Sequence, residues 1–196
     1  MKHFIASLVA GFLAFGWGFF SWTVFHWHRP QSFTNAAEVV TAIRANALVR
    51  GIYTLPNAAD PQLDPGAAAR AMDDIRHGPQ MWAMIRPGRS DWSMGENLVL
   101  SFLRSFFCAL LLSAVLSRLK DRSVALCLST SILISFIVSL QSDATFAIWF
   151  GAPHLHVVAC CVDHLAEGLF MGLVLAISLN QEKRGVEREM ARTGVG

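Results

Sequence analysis

The stretch HVVACCVDHLAEGLFMGLVLAISL, His156 to Leu179, decides how the rest of the chain is read. About 20 helical residues cross the roughly 30 Å of a bilayer's hydrocarbon, and this run is long and apolar enough to do so. A helix on a soluble core keeps its apolar residues to one stripe. Here they go all round, so the surroundings have to be apolar too, and yet the run carries Asp163, His164 and Glu167. Three more stretches share the character: residues 4–25, 98–117 and 123–140. The whole chain agrees, with 54% hydrophobic and 15% charged residues among its 196, against about 25% charged in soluble domains. Mean hydropathy is +0.43. This composition excludes a disordered chain, a disulfide-stapled scaffold and a free cytosolic enzyme. A net charge of +2 offers no basic face for nucleic acid.

The expected fold class is therefore an all-α membrane protein, a four-helix transmembrane bundle. The first run follows Lys2 and His3 but exceeds a signal peptide's apolar core and lacks an A-x-A-like site, so it reads as a retained helix. Arg118, Lys120 and Arg122 crowd the connection after the second run, whereas Gln141-Ser142-Asp143-Ala144, read as the next turn, has no cation. The positive-inside bias then places both termini and the tail 180–196 in the cytoplasm, and residues 26–96 outside, in the periplasm of a bacterium.

Residues 26–96 read as a small α/β cap between the first two helices. Asn35 with Glu38 resembles a capping box before a helix over 35–48. Gly51 to Pro56 reads as a strand, Asp64-Pro65 opens a helix that Gly78 ends, and Gln80 to Arg86 reads as a second strand. Strand, helix, strand in that order suggests a parallel pair with a right-handed crossover.

Small residues recur at four-residue intervals in the spans: Ser101, Ser105, Ala109, Ser113 and Ser117; Cys160, His164, Gly168, Gly172 and Ala176; Ala10, Ala14 and Gly18; Ser131, Ser135 and Ser139. Such seams let helix backbones approach closely where no hydrophobic effect operates. They fit a compact bundle, or packing against another membrane protein. The cysteines Cys108, Cys127, Cys160 and Cys161 lie in the spans without CxxC spacing and read as small apolar fillers.

Charges inside a bilayer need partners. Arg104 is expected to pair with Asp163 or Glu167, which stand at comparable depth. His164 and Glu167, three apart on one helix, can reach one ligand, although the first three spans, read over these boundaries, offer no acid or histidine to complete a two-metal carboxylate centre. A second cluster is expected at the outer surface, where His26-Trp27-His28 ends the first span and His154-Leu155-His156 begins the fourth. Alternating imidazoles on extended backbone point one way and suit zinc, copper or haem iron. No nucleophile elbow, P-loop, Rossmann fingerprint or HExxH occurs, so no catalytic residues are named.

Trp17-Gly18-Phe19-Phe20-Ser21-Trp22, Ser32-Phe33-Thr34-Asn35 and Gly51 to Asn57, with Trp149-Phe150-Gly151, Asp163 and Gly172 to Ala176, resemble a family of uncharacterised bacterial four-helix integral membrane proteins with an extracytoplasmic loop domain. The resemblance implies a bacterial inner-membrane protein and brings no activity. His26, His154 and His156 are additions to the family's pattern. The sequence-based expectation is a non-enzymatic accessory or scaffolding subunit in the lipid bilayer, packed against other membrane subunits. The alternatives are a metal or haem binding protein using the outer histidines, and a small proton-coupled carrier using Arg104, Asp163 and Glu167. No cofactor is named by the sequence itself.

Overall fold

The computed structural model describes residues 2–60, 62–88 and 93–193. In chain order its elements are α1 (Lys2–Val24), a single 3₁₀ turn (His26–His28), α2 (Ala36–Asn46), β1 (Gly51–Leu55), α3 (Pro65–His77), β2 (Met81–Ile85), α4 (Met94–Leu116), α5 (Val124–Phe150) and α6 (His154–Thr193). The protein is mostly helical, and α1, α4, α5 and α6 are long and apolar enough to cross a membrane. The chain divides into two compact units, Met1–Arg29 with Ser93–Gly196, and Pro30–Trp92.

In the helical unit α1 packs on α4 and α6, and α6 packs on α1 and α5, while α4 and α5 scarcely touch. The interior mixes small residues with Leu112, Leu116, Met171, Leu175 and Leu179. Ser7, Ala10, Ala14 and Ser21 of α1 are buried, as are Ser105, Ala109 and Ser113 of α4 and Ser131 and Ser139 of α5. Other large side chains point outward: Phe12 is 61% exposed, Leu111 70% and Ile148 76%. Backbones come close enough that a Cβ on Gly11 would lie 2.6 Å from the Phe106 Cα, and one on Gly172 2.6 Å from the Ser131 side chain. Close approach of this kind gives van der Waals contact without large apolar side chains between the helices. The seams expected from sequence are thus spent within the chain, apart from Ser101, which is exposed.

Two helix boundaries differ from the sequence reading. Residues 141–144 do not turn; α5 runs through them to Phe150. Their polar side chains fold back onto the helix, Ser142 Oγ donating to the Val138 carbonyl and Thr145 Oγ1 to that of Gln141. The real stop is Gly151, whose φ of 63° is left-handed and open to glycine, followed by Pro153. Asp143 consequently sits inside a helix, so the statement that the first three spans hold no acid is corrected. Similarly, α6 continues past residue 179 to Thr193. At that end His3, Arg122 and Glu182 meet, with Glu182 Oε2 3.3 Å from His3 Nε2 and 3.7 Å from Arg122 Nη1.

In the second unit Asn35 caps α2 by accepting from the Glu38 N–H, and Asp64 caps α3 by accepting from that of Ala67. β1 and β2 pair antiparallel, Gly51 opposite Ile85 and Leu55 opposite Met81, which corrects the expected parallel pair.

The close α1–α4 contact gives a test. Gly11→Ala is expected to destabilise by about 1–3 kcal/mol through overpacking, whereas Gly16→Ala, where a Cβ meets nothing within 4 Å, is expected to be neutral or slightly stabilising. Thermal unfolding of the two variants in the same detergent separates them.

Candidate functional site

Four residues of α6, His156, Cys160, Asp163 and Glu167, recur at intervals of four, three and four and so form one stripe of the helix. Asp163 is the centre of what they meet. Its Oδ1 accepts from Trp17 Nε1 at 3.1 Å and from Ser21 Oγ at 2.7 Å, and its Oδ2 lies 2.8 Å from His28 Nε2. Ser21 in turn accepts from Trp27 Nε1 at 3.0 Å. Asp163 and His28 are both buried, at 7% and 6% exposure. α1 delivers Trp17 and Ser21 on one face, one turn apart. The 3₁₀ turn just after α1 swings His28 back over α6, where Trp22 stacks on its ring at 4.1 Å with an interplanar angle of 3°.

An ionised Asp163 accepts hydrogen bonds only, so His28 donates through Nε2–H and the neutral ring keeps its lone pair on Nδ1. That Nδ1 is buried and has no hydrogen-bond partner among the described residues. Beside the His28 ring stand His156, ring centroids 5.7 Å apart, and Cys160, whose Sγ is 3.7 Å from His156 Nε2. One donor atom from each of His28, His156 and Cys160 lies within 4.8 Å of the others. Two imidazoles and a thiol at that separation can close on one ion with modest side-chain movement. The Asp163 carboxylate behind His28 is the arrangement that fixes tautomer and orientation in metal-bound histidines.

The expected cluster of four outer histidines is corrected to these three groups. His26–His28 is a 3₁₀ turn and His154–His156 opens an α-helix, and neither is extended. Residues two apart on a helix point in different directions, so His28 turns inward while His26 is exposed, and His156 is half-buried while His154 is exposed. Cys160 was read as filler; its place one turn beyond His156 on the same helix was the available signal. Trp17 and Ser21 as carboxylate partners carried no signal beyond their depth.

The carboxylates Asp163 and Glu167 of α6 part company. Glu167, not Asp163, meets Arg104, with Nη2 to Oε1 at 3.3 Å. His164 points the other way, to Asp143 Oδ2 at 2.9 Å and Ser139 Oγ at 3.2 Å on α5. Asp163, His164 and Glu167 thus tie α6 to α1, α5 and α4 in turn. Beyond Glu167 the same stripe of α6 becomes Met171 and Leu175, both buried and apolar.

No protein-family model, curated protein or solved structure matches the chain.

Asp163→Ala is expected to cost about 3–5 kcal/mol, since it strands a buried imidazole along with the Ser21 and Trp17 donors. Trp17→Phe removes one of those donors and is expected to cost about 1 kcal/mol. Thermal melts followed by tryptophan emission give both values.

Proposed function

We propose that this protein is an integral membrane protein that holds one transition-metal ion of the zinc and copper class at the outer end of its bundle, through His28, His156 and Cys160. The observation that carries this reading is one donor atom each from His28, His156 and Cys160 within 4.8 Å of one another, with Asp163 fixing the His28 ring and the buried His28 Nδ1 without a partner among the described residues. Buried polar atoms without partners are rare, and an ion would satisfy this one. Imidazole nitrogen with thiolate sulfur suits zinc and copper; hard cations such as magnesium and calcium take oxygen. Three protein ligands leave a position open for a water, a substrate or a donor from another protein.

Insertion in the membrane is supported by the many large apolar side chains left exposed along the four long helices, Phe12, Leu111 and Ile148 among them, while serine and alanine share the interior with a few leucines. Water would penalise an apolar surface of that extent. The orientation follows from the cations of 118–122, which gather with His3 and Glu182 at the end opposite His28, so residues 26–96 face outward. The accessory-subunit reading gains nothing from the seams, which α1, α4, α5 and α6 use among themselves. Likewise the carrier reading lacks a continuous path, because the polar stripe of α6 stops at Glu167.

Protein purified in detergent, stripped with chelator and reloaded with Zn²⁺ or Cu(I), is expected to retain about one ion per chain by elemental mass spectrometry. Asp163→Asn is expected to weaken that binding about 10- to 100-fold, and the double variant His156→Ala/Cys160→Ser to abolish it. Retention of full stoichiometry by the double variant would refute the reading.

A further inference from the structure

A cavity of about 340 Å³ opens between α4, α5 and α6, on the side where α4 and α5 scarcely touch. Ligand sites between the helices of bundles begin at about this size. Its lining has a direction. Along α4 Arg104 comes first, with Leu111 and Val115 two and three turns further on; along α6 His164 and Glu167 precede Met171. One end of the cavity therefore carries the charged groups, and the rest is a mainly apolar slot with Ser131 and Ser135 of α5 in its wall.

The polar end has hydrogen-bonding capacity to spare. A guanidinium offers five N–H donors, and Arg104 uses only Nη2, to Glu167 at 3.3 Å and Ser105 at 3.4 Å. Its other donors meet no acceptor among the described residues, although its side chain is 62% exposed. His164 engages Asp143 and Ser139 through Nδ1, and its Nε2 has no partner among the described residues. A donor from Arg104 and an imidazole nitrogen that can accept, or donate once protonated, suit a carbonyl or hydroxyl group on a ring.

Depth selects the kind of molecule. Arg104 lies ten residues beyond Met94, about 15 Å along the helix axis, and so midway along Met94–Leu116. On the reading that α4 spans a membrane, this is the middle of a hydrocarbon layer of roughly 30 Å, well away from the phosphates of either leaflet. A molecule whose head rests there has to be neutral and dissolved in the hydrocarbon. We infer that the cavity binds a quinone: a carbonyl-bearing ring against Arg104 and His164, its apolar tail in the slot past Leu111 and Val115.

The test uses the full chain in nanodiscs of neutral phosphatidylcholine and a photoreactive azidoquinone with a decyl tail. Retention in the membrane fraction after an alkaline carbonate wash checks the membrane reading separately. Saturable labelling of α4, α5 and α6 around the cavity is expected, displaced by excess decylubiquinone and not by phosphatidylglycerol. Leu111→Trp fills the slot from its lipid-facing side and leaves the Arg104–Glu167 pair intact. It is expected to cut labelling at least about tenfold at an unchanged melting temperature. Labelling spread over the outer faces of the helices, as acyl-chain occupancy of the cavity would give, overturns the inference. So does equal displacement by phosphatidylglycerol, or indifference to Leu111→Trp in a carbonate-resistant protein.

Discussion

A carboxylate buried in an apolar bundle has to be satisfied from all sides, and the arrangement around Asp163 follows from that requirement. An isolated charge in hydrocarbon costs at least a few kcal/mol, so the helix facing α6 supplies hydrogen-bond donors at that depth. α1 does so with Trp17 and Ser21, and the chain then turns sharply after Val24 to bring His28 onto the remaining oxygen. Trp22 and Trp27 fall in place around the same imidazole, one stacked on it and the other bonded to Ser21. The 3₁₀ turn is thereby held to α6, with the His28 ring brought to His156 and Cys160.

The same economy governs packing. With lipid-like side chains outside and small ones among those inside, helix contact depends on close backbone approach, as at Gly11 against Phe106 and at Gly172 against Ser131. The pairs α1–α4, α1–α6 and α5–α6 meet in this way, and the polar residues of α6 reinforce them: Asp163 towards α1, His164 towards α5, Glu167 towards α4. The exception is α4 against α5, which share no such seam, and there the bundle leaves a cavity with Arg104 and His164 in its wall.

Much of this was legible in the sequence because it depends on composition and short-range rules. Four long apolar runs gave four long helices, and Asn35 and Asp64 capped the helices that their side chains announce. The third helix was cut short because Gln141 to Ala144 look like a turn in isolation; serine and threonine hydroxyls that bond back to the preceding turn keep such a segment helical, and Gly151 was the truer stop. That misreading hid Asp143, and with it the partner of His164. The candidate site was half legible. The two HxH pairs do stand where the first and fourth long helices meet, as the His28–His156 ring contact shows, but which of each pair turns inward depends on local backbone geometry that an HxH spacing does not reveal. The antiparallel strand pair was out of reach because strand, helix, strand order leaves the sense of pairing open and no periodicity encodes it.

The central claim is that the His28–Asp163 pair ties the turn after α1 to α6. A double-mutant cycle, with His28→Ala, Asp163→Ala and the double variant melted in one detergent, measures it directly. The account predicts a coupling above about 1 kcal/mol, as contacting buried partners give, whereas additivity to within about 0.5 kcal/mol would mean that the two residues act independently and would contradict it.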